Sequence, residues 1–331
     1  MTTDVRPSGF EDFVGQEKPK RVLEILVKAA KRRSACVPHV LISGPPGLGK
    51  TTLARIVAHE MGSRLVEVVA SNLQATDQMV KHLTRLKPKD VLFIDEIHGL
   101  PRGVEEVLYA ALEDGRIPVT QSGYDDLMKS LGLGRKDSTT VMVELPPFTC
   151  IAATTLSGLV SDPLRSRFVQ ALTLEPYSDE ELARIVMTAA GKIGFRISPT
   201  IAAEVARRSR STARNAIMNL RWLAEFCEGT NAKPGPAAIA EAFSLKEIDP
   251  NGLTKTDRAY LAVLAEANAP LGVATIAAGV NESEDTLLLA IEPFLLRGGW
   301  VRKTGRGRVA TQKALDLVNG KEASVCTTNG N

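Results

Sequence analysis

The run Gly44-Pro45-Pro46-Gly47-Leu48-Gly49-Lys50-Thr51 constrains this chain more than any other stretch. A glycine-rich loop ending in Lys-Thr follows the pattern G-x-x-x-x-G-K-[ST], and its chemistry works only between a strand and a helix. Both neighbours are present. Val40-Leu41-Ile42 reads as a buried strand, and Leu53, Ile56 and Val57 repeat at the spacing of one apolar helix face. Such a loop turns successive backbone N–H groups, and the positive end of a helix, toward an anion. Gly47 and Gly49 allow the close wrap, Lys50 reaches the β- and γ-phosphates, and Thr51, followed by Thr52, supplies a hydroxyl to Mg²⁺. The stretch predicts a nucleoside triphosphate site, with ATP and Mg²⁺ as its ligands, in a parallel α/β sheet.

A second signal agrees with the first. Val91-Leu92-Phe93-Ile94 ends in Asp95-Glu96, as expected of a buried parallel strand whose carboxyl end faces the ligand crevice. Asp95 is expected to hold Mg²⁺ through water, and Glu96 to orient or deprotonate the attacking water. A further strand, Phe148 to Thr155, ends in hydroxyls, so Thr155 is placed for the γ-phosphate or that water. Two arginines, Arg165 and Arg167, flank Ser166 ahead of a last strand from Val169 to Leu174. They read either as surface charge or, in an oligomer, as the source of an arginine finger. Phe10, Phe13 and Val14, in the Pro- and Gly-bearing arm before a helix near Lys18 to Arg32, fit either the core or the floor of a nucleotide base site.

The remainder divides by pattern. Residues 115–146 break the α/β rhythm, with hairpin arms at Ile117–Thr120 and Thr140–Val143 around a short helical stretch that begins at Tyr124. An excursion of this kind with apolar content predicts a contact surface. From Ser178 to about Ala242 the pattern is wholly helical, and its basic run Arg207, Arg208, Arg210, Arg214 and Arg221 reads as a solvated face. After a break at 246–252, three helices and a Gly-spaced basic hairpin (Arg302-Lys303-Thr304-Gly305-Arg306-Gly307-Arg308) have the winged-helix order. A thin basic tip suits phosphates in a groove. The predicted organisation is an ATPase domain over 1–177 with a hairpin inserted at 115–146, a helical lid over 178–249, a winged-helix domain over 250–318, and a disordered tail over 319–331.

A net charge of +3 over 331 residues leaves any DNA contact to a local patch rather than to overall charge. Cys36, Cys150, Cys227 and Cys326 form no C-x-x-C pair, and no apolar run approaches membrane-spanning length. With no signal peptide at the start of the chain, the expectation is a cytoplasmic protein without a membrane or metal-cluster role.

Taken together, these stretches resemble the AAA+ ATPases of the RuvB family, hexameric motors that drive branch migration of Holliday junctions. The most specific are Leu145-Pro146-Pro147-Phe148-Thr149 and Thr304-Gly305-Arg306-Gly307-Arg308-Val309-Ala310-Thr311, together with the order of domains. The resemblance implies an AAA+ P-loop core, a helical lid and a C-terminal winged helix. It implies nucleotide contacts from Val5, Arg6 and Tyr177, a sensor role for Thr155, a finger acting on the neighbouring subunit from Arg167, and a γ-phosphate contact from Arg214. Lys303 and Arg308, beside Arg306, match the DNA-contacting positions. It also implies a homo-oligomer, a hexamer, acting on four-way DNA junctions with the adaptor RuvA.

Departures from the family pattern stand beside these matches. Ser211-Thr212-Ala213-Arg214 replaces Gly-Thr-Pro-Arg, while Gly99 and Leu156 occupy positions where arginine is usual. The 115–146 hairpin is longer than the family's, which points to a different adaptor docking through Tyr124 to Leu133. Two other readings use the same residues. One is a DNA-bound ATP switch of the initiator or loader kind, and the other a regulatory adaptor of a recombinase or transposase. Strand displacement on a four-way junction separates the motor from both.

Overall fold

The computed structural model describes residues 4–119, 141–267 and 269–320. The stretch from Tyr124 to Leu133, with its expected docking surface and short helix, lies outside them, as does most of the C-terminal tail. The described chain falls into two compact units, Met1–Tyr177 with Thr212–Arg214, and Ser178–Ser211 with Asn215–Asn331.

In the first unit a helix α1 (Glu17–Arg33) leads to β1 (Val40–Ser43), and the glycine loop then opens α2 (Lys50–Met61). The chain continues through β2 (Leu65–Val69), α3 (Thr76–Thr84), β3 (Val91–Asp95), α4 (Arg102–Asp114), a hairpin of β4 (Arg116–Val119) and β5 (Val141–Glu144), then β6 (Thr149–Thr154) and β7 (Gln170–Thr173). The sheet order is β2-β3-β6-β1-β7, with every neighbouring pair parallel. Parallel strands need crossovers that cover both faces, which is why β6 is buried at every residue and β3 at all but its last. One core cluster joins Leu92, Ile94 and Ala152 of the sheet to Met79, Leu83, Val104 and Leu108 of the helices.

β4 and β5 pair antiparallel as a separate ribbon, Ile117 opposite Val143, so the expected hairpin arms are present. The arm before α1 is clasped to the far edge of the sheet. Gln16 donates its amide to the Glu175 carbonyl at 2.6 Å and accepts the Glu175 N–H at 3.0 Å.

After Tyr177 come four helices, Asp179–Lys192, Pro199–Arg207, Ala213–Thr230 and Pro236–Leu245, all in the second unit except for the first two residues of the third. Ser178 opens the first with a reciprocal cap, accepting from Glu181 N–H while the Glu181 carboxylate accepts its own. Trp222 donates its indole N–H to the Ala242 carbonyl at 2.7 Å, fixing the third of these helices against the fourth.

The winged helix follows, with helices Lys255–Ala267 and Val273–Val280. A third helix starts at Glu284–Thr286, widens into a π turn over Leu287–Ile291, and resumes over Glu292–Arg297. The wing is β8 (Val301–Thr304) against β9 (Gly307–Ala310), closed by Gln312–Val318. Its core gathers Tyr260, Leu264, Ile276, Leu287, Leu295 and Trp300, and the Lys313 ammonium lies 3.8 Å above the Trp300 ring.

The basic run of the lid is a solvated face only in part: Arg207, Arg214 and Arg221 are exposed, whereas two of its members turn inward. Arg208 is buried and paired with Glu204, and Arg210 is paired with Asp257.

Candidate nucleotide-binding site

The strand order decides which chemistry meets. β1 carries the glycine loop at its carboxyl end, β3 carries Asp95 and Glu96, and β6 lies between them carrying Thr154 and Thr155. Residues far apart in sequence thus reach one crevice.

The loop is shaped by its glycines. Gly47 has φ 81° and Gly49 φ 104°, backbone that side chains rarely adopt. A Cβ on Gly49 would meet the Phe13 ring at 2.9 Å, and one on Gly47 would meet the Arg214 Cβ at 3.0 Å. Phe13 is therefore core and loop support at once, pressed against the turn that opens α2. Tyr177 is buried and donates its hydroxyl to the Leu48 carbonyl at 2.9 Å. Val5 is buried and Arg6 exposed on the arm before α1.

Charge is concentrated here. The Lys50 ammonium crosses the loop to the Gly44 carbonyl at 2.6 Å and the Pro45 carbonyl at 3.1 Å. Burial holds its pKa below the usual lysine value, against the opposing pull of Glu96 and Asp95. Asp95 is shifted the other way, upward, first by burial and then by the neighbouring Glu96 carboxylate. A carboxylate destabilised in this way is relieved by a cation. With the Thr51 hydroxyl at the start of α2, the donor set fits hard, oxygen-liganded Mg²⁺, and the Cβ-free cradle of Gly47 and Gly49 fits phosphate.

Glu96 sits in the left-handed region, φ 51°, an unusual backbone for a residue with a side chain. The turn aims its carboxylate at the next strand, where one oxygen accepts the Thr155 N–H at 2.9 Å and the Thr155 hydroxyl at 2.8 Å. His98 stands 3.3 Å from the same oxygen and shares a hydrogen bond of 2.9 Å with the Thr154 hydroxyl. Sequence reasoning paired Glu96 with Thr155 only by role. It missed His98 and Thr154, whose signal was their place beside the strand ends.

The two predicted arginines differ. Arg214 is exposed, and its N–H donates to the Gly47 carbonyl at 3.2 Å, so its chain segment borders the loop. Arg167 lies elsewhere in the first unit, its guanidinium on the Tyr109 hydroxyl and the Glu113 carboxylate, each at 2.5 Å, and 4.4 Å above the Tyr109 ring. Both partners lie on α4, and neither was singled out from the sequence.

The expected DNA-contacting residues also part company. Arg306 is exposed at the wing tip. Arg308 is spent internally, its guanidinium bonding the buried Glu292 at 2.7 and 3.2 Å. Lys303 reaches the same carboxylate at 3.0 Å while half its side chain stays exposed. The Tyr260 hydroxyl completes the cluster at 2.9 Å. Arg308 thus braces the wing, because a buried carboxylate needs that many partners.

Among the described residues no cluster of His, Cys, Asp and Glu could hold a metal ion by itself, and no helix is long and apolar enough to cross a membrane.

Comparison with known proteins gives one answer over the whole length. Residues 5–174 match the Holliday junction DNA helicase RuvB P-loop domain, 177–249 the RuvB AAA lid domain, and 250–319 the RuvB C-terminal winged helix domain. The Holliday junction branch migration complex subunit RuvB of Campylobacter concisus is 40% identical over 319 residues, 96% of this chain and 92% of that protein. Its counterpart from Wolinella succinogenes is 41% identical over 316 residues, 95% and 91% of the two chains. Among solved structures, the Thermotoga maritima RuvB Holliday junction branch migration motor superposes with a TM-score of 0.81 at 36% identity, covering 95% of this chain and 98% of that one.

Proposed function

The chain belongs to the RuvB family, and from that premise we propose that it hydrolyses ATP, as a ring of its own copies, to drive branch migration of four-way DNA junctions. The observation that carries this reading is the convergence of Lys50, Asp95, Glu96 and Thr155 at the ends of three neighbouring parallel strands.

In the proposed reaction Glu96 takes a proton from water as its oxygen attacks the γ-phosphorus, and the bond to the β–γ bridging oxygen breaks to release ADP. Thr155 holds Glu96 in place through its two hydrogen bonds. Lys50 swings from the loop carbonyls to the phosphate oxygens, where its charge opposes the negative charge that develops. Thr51 and Asp95 would hold Mg²⁺, which when bound would supply the remaining neutralisation. Gly47, Gly49 and Thr52 frame the phosphates, Val5, Arg6 and Tyr177 the remainder of the nucleotide, and Arg214, whose backbone borders the loop, approaches the γ-phosphate. Arg167 serves the site of the adjoining copy. Lys303 and Arg306 take DNA phosphates at the wing. A junction-recognising adaptor, RuvA-like or divergent, delivers the ring to its DNA.

The test is the ATPase rate without DNA, with linear duplex and with a four-way junction, at one fixed salt concentration. The motor predicts stimulation by DNA together with junction dissociation in the same mixture. A rate indifferent to DNA, with no junction movement, overturns it in favour of a DNA-bound ATP switch.

A further inference from the structure

Arg210 has φ 53° and Ser211 φ 57°, two successive residues with side chains in the left-handed region. Such backbone persists only where its surroundings over-determine it. Here the constraint is the Arg210 side chain, which leaves the lid helices and enters the winged-helix core. Its guanidinium pairs with Asp257, whose carboxylate is fully buried, donates to the Ala290 carbonyl at 2.9 Å, and stacks over the Phe294 ring at 4.4 Å.

Each partner is prepared for it. Asp257 already accepts the Thr254 N–H and hydroxyl, both at 2.7 Å, at the start of helix Lys255–Ala267. Its other oxygen is buried with no hydrogen bond, so Arg210 supplies the charge that makes the buried carboxylate tolerable. Ala290 lies in the π turn over Leu287–Ile291, an irregular stretch ahead of Pro293, and its carbonyl takes the Arg210 guanidinium. A planar fork that bonds and stacks at once is a task for arginine and not for lysine.

The chain then runs from Ser211 into Thr212–Arg214, which belong with the first compact unit, and Arg214 N–H meets the Gly47 carbonyl. Arg210 therefore anchors one end of a very short segment whose other end borders the glycine loop. We infer that Arg210 is a positioning residue that ties the Arg214 segment to the winged-helix core, so that nucleotide at the loop and DNA at the wing alter each other's affinity through residues 210–214. This rests on the roles given above to Arg214 and to the wing.

Linkage makes the inference measurable, because coupling between two sites is reciprocal. The probe is a fluorescein-labelled four-way junction titrated with full-length protein, with and without ATPγS, at fixed salt. Wild type is expected to show a nucleotide-dependent change in junction affinity of about fivefold or more. Arg210→Met and Asp257→Asn should each bring that ratio to about one, and the double variant should do no more than either alone. Affinity for ATPγS without DNA should stay within about twofold in both, since neither residue touches the loop. A merely structural pin would lower Tm and leave the ratio unchanged, which overturns the inference, as does a wild-type ratio of one. If Arg210→Met does not fold, Arg210→Lys is read instead, and an undiminished ratio there overturns the inference equally. Arg214→Ala separates the failures. Unchanged ATP turnover in that variant removes the site reading itself, whereas lowered turnover with unaffected Arg210 variants removes only the coupling.

Discussion

Asp95, at the end of β3, and Glu292, inside the winged helix, are both carboxylates enclosed by protein, and they are held in opposite ways. Asp95 has its pKa raised by burial and by Glu96 beside it, an effect that one backbone hydrogen bond and the charges of Lys50 and Arg214 offset only in part. Glu292 is more deeply buried, which by itself would raise its pKa, yet hydrogen bonds from Arg308, Lys303 and Tyr260 outweigh burial and hold it low. One region stores unbalanced charge that a ligand relieves, and the other has already balanced its charge from within. The lesson concerns reading arginines and lysines. A basic residue near a proposed ligand counts toward binding only after its internal partners are subtracted.

That contrast can be broken at several points. The largest effect is expected at Arg167, which in the isolated chain is engaged by Tyr109 and Glu113. Arg167→Ala should lower kcat by about 10³-fold if it supplies a finger to the neighbouring site. Mixing these subunits with Lys50→Ala subunits should restore part of the turnover, because each then provides what the other lacks. No recovery at any mixing ratio would place Arg167 among the internally balanced groups.

A smaller effect is expected at Glu292. Glu292→Gln should destabilise the winged helix by about 3 kcal/mol, read as a lower Tm, because Arg308 is left beside a neutral partner. The pH dependence has a defined sign. Since the folded pKa lies below the ordinary value of 4.5, the stabilisation is complete above pH 4.5 and disappears as pH falls through the lower folded value. The glutamine variant should lack that acid-dependent loss, and a melting profile with the same acid limb would refute the balance assigned to Glu292.

The smallest effect separates two wing arginines. Arg306→Ala should reduce the slope of log affinity against log salt by about 0.9, the value of one phosphate contact, whereas Arg308→Ala should change Tm more than the slope. The reverse pattern would return Arg308 to the DNA.

Much of the ATPase crevice was legible because its groups sit on the punctuation of the sequence, in a glycine loop and at the ends of apolar runs. What was illegible depended on distant pairing. Arg167 meets Tyr109 and Glu113 across the fold, Arg210 meets Asp257, and Glu292 hides in a helix where only Leu287, Ile291 and Leu295 mark the buried face. Helix α3 was missed for a local reason. It starts after Ala75 rather than after a serine, threonine or aspartate, and its free N–H groups at Gln74 and Ala75 are met by the Gln78 side chain reaching back. Two of the five lid arginines failed by a default. Charge in a run suggests solvent, yet Arg208 and Arg210 carry their charge inward to acids that the sequence places before and after them.

The positions of the two tryptophans have a practical outcome. Trp222 and Trp300 are the chain's whole complement, and both fall in the second compact unit. Excitation selective for indole is therefore blind to the ATPase core and reports the lid and winged helix by themselves. Trp300, with the Lys313 ammonium over its ring and its carbonyl accepting the Thr311 N–H just after β9, is a native optical sensor at the base of the wing. A Trp222→Phe protein would carry one emitter, and that emitter would sit beside the hairpin assigned to DNA.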